Sequence, residues 1–130
     1  MIRVRPKYLI MIIGIGTDIV YLPRIRKALE KFGEKFYKKI FTEKELKKYT
    51  VEEIGGKFSA KESFVKALGT GFKGISLKDV EVLNDKEGKP YILLNMVIKE
   101  KFFKEDLVKI HLSISHQKDY AVSCVILEKI

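Results

Sequence analysis

Hydrophobic residues are most concentrated near the start of the chain, where an apolar run covers residues 9–15 and β-branched side chains continue to Val20. β-branched residues favour extended backbone, so this stretch predicts a buried strand. The run is far shorter than the ~20 apolar residues that a membrane-spanning helix needs, and no signal-peptide cleavage site follows it. We expect a soluble protein with no membrane span. Met11 is a plausible alternative start, so residues 1–10 are interpreted as a leader and residues 11–130 as one domain.

Helical patterns occupy the part of the chain that follows. Pro23 suits the first turn of a helix, and Gly33 suits the position just after its end. Gly55 and Gly56 each cost a helix about 1 kcal/mol relative to alanine, so the longest helix is expected to begin its first turn after them. The predicted helices cover residues 23–32, 34–40 and 51–68, with a short additional helix opened by the capping-box pattern of residues 42–45.

Strand patterns dominate the second half of the chain. Two hairpins are predicted, the first around the loop at residues 85–89 and the second around residues 117–119. Helices grouped early and strands grouped late predict an α+β fold, a small single domain with helices packed on an antiparallel sheet. The predicted strands cover residues 80–84, 90–95, 109–115 and 120–127, with a short helix at residues 97–104.

Charge is distributed unevenly along this basic chain. Its 130 residues include 26 Lys and Arg against 17 Asp and Glu, for a net charge of +9. Residues 24–48 hold ten basic and four acidic side chains, whereas residues 49–130 are close to neutral. A basic segment attracts a polyanion, which could be nucleic acid, an anionic membrane or an acidic protein. The single cysteine, Cys124, excludes an internal disulfide and indicates a reducing cytoplasm.

Three charged positions depart from the local pattern. Asp18 follows the most apolar stretch, where it is interpreted either as a turn cap or as a metal ligand or general base. Lys61 falls within the apolar stripe of the helix at residues 51–68, so either its stem is buried and its ammonium reaches water, or it faces a polar cleft. In the second case Glu62 and Lys66, one helical turn apart, share that cleft with a metal and an anion.

Two short motifs are weak on their own. Residues 69–74 match a dinucleotide-binding string but follow a helix rather than a strand, so a Rossmann site is rejected. The glycines still permit close approach of backbone N–H groups to a phosphate, although a helix C-terminus explains Gly69 equally well. His116 ends the string Ser-Ile-Ser-His at residues 113–116, and no third group indicates a serine-type triad.

Together these motifs resemble the holo-[acyl-carrier-protein] synthases, the small bacterial-type 4′-phosphopantetheinyl transferases. The resemblance rests on residues 14–20 (GIGTDIV), 58–71 (FSAKESFVKALGTG) and 113–116 (SISH), and runs from Met11 to about Leu127. It implies transfer of 4′-phosphopantetheine from coenzyme A to a serine of apo-acyl carrier protein, giving the holo-protein and 3′,5′-ADP in support of fatty acid biosynthesis. It also implies a cytoplasmic homotrimer with active sites between subunits.

The resemblance also implies roles for individual residues. Asp18 and Glu62 match the magnesium ligands, Glu62 and Lys66 match catalytic positions, and Arg24 matches an arginine that contacts the carrier protein. Either a metal-bound water or Glu62 would take the serine proton. Tyr21 stands where the family commonly has a glutamate. The positions that match the coenzyme A site are Lys61, Lys66, Gly69, Thr70, Gly71 and His116.

A second hypothesis is a small basic nucleic-acid-binding module. The basic segment and its aromatic residues favour it, since Phe36, Tyr37 and Phe41 could stack on bases. It leaves Asp18 and Glu62 unexplained, and no known nucleic-acid motif is present. The transferase with Mg²⁺, coenzyme A and carrier protein, and without nucleic acid, is therefore the preferred interpretation.

Overall fold

The fold is built around a three-stranded antiparallel sheet and one long helix. The structure, a computed structural model, describes residues 10–104 and 107–130. The sheet has the order β1-β5-β4, and the 18-residue helix α3 packs against β1 and β5. The predicted α+β fold with helices on an antiparallel sheet is confirmed. These elements are β1 (Met11–Tyr21), α3 (Val51–Leu68), β4 (Val108–Gln117) and β5 (Tyr120–Lys129).

Smaller elements surround this centre and agree with most of the predicted boundaries. The helix predicted from Pro23 ends at Phe32, and Gly33 follows it with a positive φ of 55°. Both predicted hairpins are present. Within the described parts of the chain, no helix combines the length and apolar character that crossing a membrane requires. The elements are α1 (Leu22–Phe32), α2 (Glu34–Ile40), a 3₁₀ turn (Leu77–Asp79), β2 (Val80–Asn84), β3 (Pro90–Leu94) and α4 (Met96–Phe102).

The capping-box pattern at residues 42–45 opens no helix, so that prediction is wrong. Glu45 does accept the Thr42 N–H at 3.1 Å, as a capping box requires. Its side chain is fully buried, however, and also accepts the Val82 N–H at 2.8 Å. The carboxylate therefore connects this loop to β2 instead of starting a helix.

Helix α3 covers the predicted residues 51–68, and its first turn begins at Val51 rather than after Gly55 and Gly56. A real capping box joins Thr50 and Glu53, with both hydrogen bonds at 3.1 Å, and it fixes the start at Val51. Gly55 allows α1 to approach, because a Cβ there would lie 2.3 Å from Leu22 Cδ2. Close packing thus compensates the low helix propensity of glycine.

Strand β1 is buried on one face only, contrary to the prediction of a buried strand. Gly16 and Val20 point toward α3 and are buried. Ile15 and Ile19, on the opposite face, are 64% and 63% exposed. No element of the described chain covers that face. The predicted leader covers residues 1–10. Residues 1–9 lie outside the described part of the chain, and Ile10 is exposed.

Candidate active site

Two glycines bring the first strand unusually close to the long helix. A Cβ at Gly16 would lie 2.0 Å from the Ser63 carbonyl oxygen, and one at Gly14 would lie 2.2 Å from the Ala67 carbonyl oxygen. No side chain tolerates such distances without backbone movement. The missing side chains therefore let β1 and α3 run in direct contact, so that Asp18 lies beside the middle of the helix.

Asp18, Glu62 and Lys66 form a charged cluster at this contact. The Lys66 ammonium lies 3.0 Å from Asp18 Oδ1, and the Asp18 side chain is only 13% exposed. Burial raises the pKa of Glu62, the nearby Asp18 charge raises it further, and Lys66 opposes both effects. The structure thus brings together the three charged groups that sequence analysis assigned to metal and catalysis.

The two carboxylates suit a hard divalent cation. Asp18 and Glu62 come from different elements and line the same cleft, and the Asp18 charge raises the pKa of Glu62. Mg²⁺ prefers oxygen ligands and is commonly held by one or two carboxylates, with water and substrate phosphates completing the shell. In the described residues no cluster of three or more His, Cys, Asp or Glu could hold a metal. The protein would therefore contribute two ligands.

A cleft of about 600 Å³ opens next to these carboxylates. Arg24, on α1, lines it together with Asp18 and Glu62, so the predicted carrier-binding arginine and the acidic pair share one cleft. The rings of Tyr21 and Tyr120 lie 5.3 Å apart at one side. The remaining wall is mainly apolar and comprises Ile19, Val20, Ile25, Ala28, Phe36 and Phe58.

Lys61 does not face this cleft, and that prediction is wrong. Its side chain is fully buried, and its ammonium donates to Glu45 Oε1 at 2.8 Å and to the carbonyl oxygens of Ile40 and Leu77 at 2.8 and 2.9 Å. Burial lowers its pKa, and the Glu45 carboxylate partly offsets that effect. Three protein acceptors use all three ammonium N–H groups, so none remains for coenzyme A in this arrangement.

Sequence reasoning missed two buried charged residues, Glu45 and Lys57. Lys57, one turn ahead of Lys61, donates to the Val82 carbonyl oxygen at 3.0 Å and to Asn84 Oδ1 at 2.7 Å. Its spacing of four from Lys61 places both lysines on one helix face. Two lysines one turn apart on one face of a largely apolar helix were the sequence signal that both make polar contacts in the interior.

The glycine loop and His116 lie at opposite ends of β1. Gly69 has φ 78° and caps α3, and Gly71, with φ 63°, continues the exposed loop that contains Thr70. This loop follows Ala67, which meets the beginning of β1 at Gly14. His116 instead pairs with Ala121, which pairs with Val20. Six residues of strand, about 20 Å, separate the two ends, so one chain does not bring them together.

The chain's similarity to known proteins agrees with this geometry. Residues 14–125 match the family model described as the 4′-phosphopantetheinyl transferase superfamily. The holo-[acyl-carrier-protein] synthase of Clostridium tetani is 49% identical over 123 residues, covering 91% of this chain and 97% of that protein.

Two solved structures also share the fold. The holo-[acyl-carrier-protein] synthase from Neisseria meningitidis has a TM-score of 0.82 and 34% identity, covering 90% of this chain and 98% of that one. The enzyme from Helicobacter pylori, solved in complex with coenzyme A, has a TM-score of 0.79 and 30% identity, covering 87% and 98%. The chain therefore belongs to the 4′-phosphopantetheinyl transferase superfamily, as a member of its holo-[acyl-carrier-protein] synthases.

Proposed function

We propose that this chain transfers 4′-phosphopantetheine from coenzyme A to a serine hydroxyl of an apo-acyl carrier protein and releases 3′,5′-ADP, in support of fatty acid biosynthesis. The observation that carries the proposal is the cluster of Asp18, Glu62 and Lys66 in a chain of this family. Two carboxylates and a lysine at a cleft are the groups that a reaction at a pyrophosphate requires. The coenzyme A complex of the related Helicobacter pylori enzyme supports the choice of donor.

Asp18 and Glu62 would hold Mg²⁺ in this proposal. When bound, Mg²⁺ supplies Lewis-acid stabilisation of the charge that gathers on the departing phosphate. Lys66 is more than half exposed, so its ammonium is free to leave Asp18 and donate to a phosphate oxygen, a charge-assisted hydrogen bond. Glu62 is the chain's own candidate to accept the serine proton, because its carboxylate lines the cleft at which the serine would arrive. Gly69, Thr70 and Gly71 would offer backbone to the coenzyme A phosphates.

The cleft beside the carboxylates suits the carrier protein. Arg24 lines it, and the basic segment at residues 24–48 continues from it along α1 and α2. A positive surface steers and orients an acidic partner. We therefore propose that an acidic helix of the carrier protein docks here and presents its serine toward Asp18 and Glu62.

The active enzyme is proposed to be a homotrimer with sites between subunits. The outer face of the sheet exposes a row of apolar side chains across β1 and β5, and an apolar patch of this kind is typical of an interface. His116 and the glycine loop lie at opposite ends of β1, so a neighbouring subunit would be needed to unite them. The exposed row comprises Ile15, Ile19, Tyr21, Tyr120 and Val122.

The alternative of nucleic-acid binding is not favoured, because it gives no role to Asp18 and Glu62 and does not follow from the family. A cytoplasmic location is part of the proposal. The single cysteine, half-buried and unpaired, fits a reducing compartment.

The deciding experiment incubates the protein with coenzyme A, Mg²⁺ and a cognate apo-acyl carrier protein and weighs the carrier by mass spectrometry. We expect one phosphopantetheine adduct with the unaltered chain, and none with Asp18→Ala or Glu62→Ala, both of which should remain folded by circular dichroism. No adduct from the folded unaltered enzyme would exclude the proposed activity.

A matched variant separates carrier docking from chemistry. Arg24→Glu should weaken binding of the carrier protein while coenzyme A binding stays unchanged, because Arg24 belongs to α1, whereas Lys66 and the glycine loop, the proposed phosphate-binding groups, lie at the C-terminal end of α3. A loss confined to coenzyme A binding would contradict the assignment of Arg24.

A further inference from the structure

Three serine hydroxyls meet in the interior between α3 and β5. Ser59 and Ser63 come from the helix and Ser123 from the strand, and all three residues are buried. Ser123 Oγ lies 2.7 Å from Ser59 Oγ and 2.6 Å from Ser63 Oγ. The cluster also reaches β1, because Ser59 Oγ lies 3.1 Å from the carbonyl oxygen of Asp18.

The direction of every hydrogen bond in this cluster follows from that last contact. A carbonyl oxygen only accepts, so Ser59 must donate to Asp18. The single Ser59 proton is then used, and the Ser59 oxygen must accept from Ser123. Ser123 has no second proton to give, so Ser63 must donate to Ser123, whose Oγ lies 2.6 Å away and whose carbonyl oxygen, a second acceptor, lies 3.3 Å away. The result is a relay from Ser63 through Ser123 and Ser59 to the backbone of Asp18.

The relay joins the two elements that carry the proposed metal ligands. Its far end is the backbone of Asp18, and its two helical members stand three residues before and one residue after Glu62. Ser123 is also the register partner of Asp18 across β1 and β5. Each displacement of α3 along β1 would therefore stretch at least one of these hydrogen bonds.

We propose that Ser59 is a positioning residue, which holds the backbone of Asp18, and with it the carboxylate, in register with Glu62. This inference rests on the proposed function, in which these two carboxylates bind Mg²⁺. Apolar side chains would fill the same interior space without the desolvation penalty of a buried hydroxyl. What the hydroxyls add is a fixed geometry between two ligands, and partners behind metal ligands commonly govern metal affinity 10–100-fold.

The experiment measures binding of Mn²⁺, as a probe for Mg²⁺, to the full chain by electron paramagnetic resonance of the free ion, with and without coenzyme A. Ser59→Ala should weaken Mn²⁺ binding by ~10-fold or more, because it removes the hydrogen bond to the Asp18 carbonyl oxygen. Ser63→Ala is the matched control, being a buried serine on the same helix. Its loss leaves the bonds from Ser123 to Ser59 and from Ser59 to Asp18 in place, so Mn²⁺ affinity should stay close to that of the unaltered chain.

A triple variant separates positioning from stability. Changing Ser59, Ser63 and Ser123 together to alanine removes every hydroxyl of the relay, so no hydroxyl is left buried without a partner and thermal stability should be at least that of Ser59→Ala. Mn²⁺ affinity should remain low, because the connection to Asp18 is gone.

Each remaining outcome overturns the proposal in a recognisable way. Unchanged Mn²⁺ binding in Ser59→Ala, an equal loss in Ser63→Ala, or recovery of Mn²⁺ affinity in the triple variant removes the positioning role alone. If the unaltered chain shows no Mn²⁺ binding that depends on Asp18 and Glu62, the proposed metal site fails and the positioning role fails with it.

Discussion

Helix α3 carries two lysines five positions apart, and each faces an acid from another element. Lys61 and Glu45 lie 2.8 Å apart with both side chains fully buried. Lys66 and Asp18 lie 3.0 Å apart, with exposed fractions of 55% and 13%. From sequence both lysines were assigned to coenzyme A, but the structure separates them into an interior pair and a pair at a cleft.

The difference teaches that the number of protein acceptors around an ammonium decides what it can bind. Lys61 has three and none of its N–H groups is left over, whereas Lys66 is held by one carboxylate and remains largely in solvent. Breaking a buried pair leaves a charge without compensation, while an exposed pair contributes little to stability. The two pairs should therefore respond in opposite ways to the same substitution.

The largest expected effect comes from the interior pair. Lys61→Met should lower the free energy of unfolding by about 3–5 kcal/mol, because Glu45 stays buried without its partner. Urea denaturation followed by circular dichroism measures this change. Adding Glu45→Leu should recover part of the loss. A Lys61→Met protein with unchanged stability and poor coenzyme A binding would restore the ligand role that the structure denies to Lys61.

A substitution at the strand tests whether the site depends on close contact between β1 and α3. Gly16→Ala places a Cβ where the Ser63 carbonyl oxygen now lies, so we expect a loss of roughly 1–3 kcal/mol in unfolding free energy from the forced backbone shift. Transfer activity should fall as well, because Asp18 moves relative to Glu62. Gly33→Ala, at a positive φ with open space around it, is the control, and it should lose stability without a comparable loss of activity per folded molecule. Equal specific activity in the two variants would contradict the prediction.

The exposed pair should give the reverse result. Lys66→Met should lower the free energy of unfolding by less than Lys61→Met does, because the Lys66 ammonium is largely in solvent, although Asp18, which loses its partner, is only 13% exposed. The value of kcat/KM for coenzyme A should fall on the order of 10- to 100-fold, the usual consequence of losing a hydrogen bond to a charged group. Steady-state kinetics beside urea denaturation measure both quantities. If stability falls and kinetics do not, Lys66 is structural and the contrast with Lys61 disappears.

The smallest effect concerns titration of the metal-free protein. Asp18→Asn should lower the pKa of Glu62, because the Asp18 charge is one of the two influences that raise it; burial, the larger influence, remains. A pH titration of the Glu62 carboxyl carbon by NMR measures the change. A raised pKa also means that the folded state favours protonated Glu62, so this group's contribution to stability decreases as pH rises through that pKa. Asp18→Asn should make that decrease shallower, and an unchanged pKa would show that the two carboxylates do not interact.

Much of the fold follows from local patterns. Pro23 and Gly33 bound α1 as their backbone preferences require, and loop residues between strand-like segments identified both hairpins. The capping-box pattern at Thr42 was misleading because Glu45 also interacts in the interior with Lys61 and Val82. A short sequence pattern carries no information about such distant contacts. The glycines at residues 55 and 56 were misread because their benefit lies in contacts with Leu22 and Ile114, both distant in sequence.

The candidate site was only partly accessible from sequence. Asp18, Glu62 and Lys66 were found because charged residues within apolar segments need a partner, and such residues can be recognised in the sequence alone. Lys61 met the same criterion and was misassigned, since its partner Glu45 lies 16 positions away in a loop. The serines at residues 59, 63 and 123 carried no signal, because serine occurs both at the surface of proteins and, when it is hydrogen-bonded, in the interior.

By itself, then, the sequence determined the elements, the two acidic residues of the proposed metal site and the family. The tertiary structure decided which charged groups are satisfied internally and which remain free for a ligand. The physical reason is that backbone preferences and apolar periodicity act over a few residues. Desolvation and hydrogen-bond partners depend on contacts such as Lys61 with Glu45 and Asp18 with Lys66, and only folding creates those contacts.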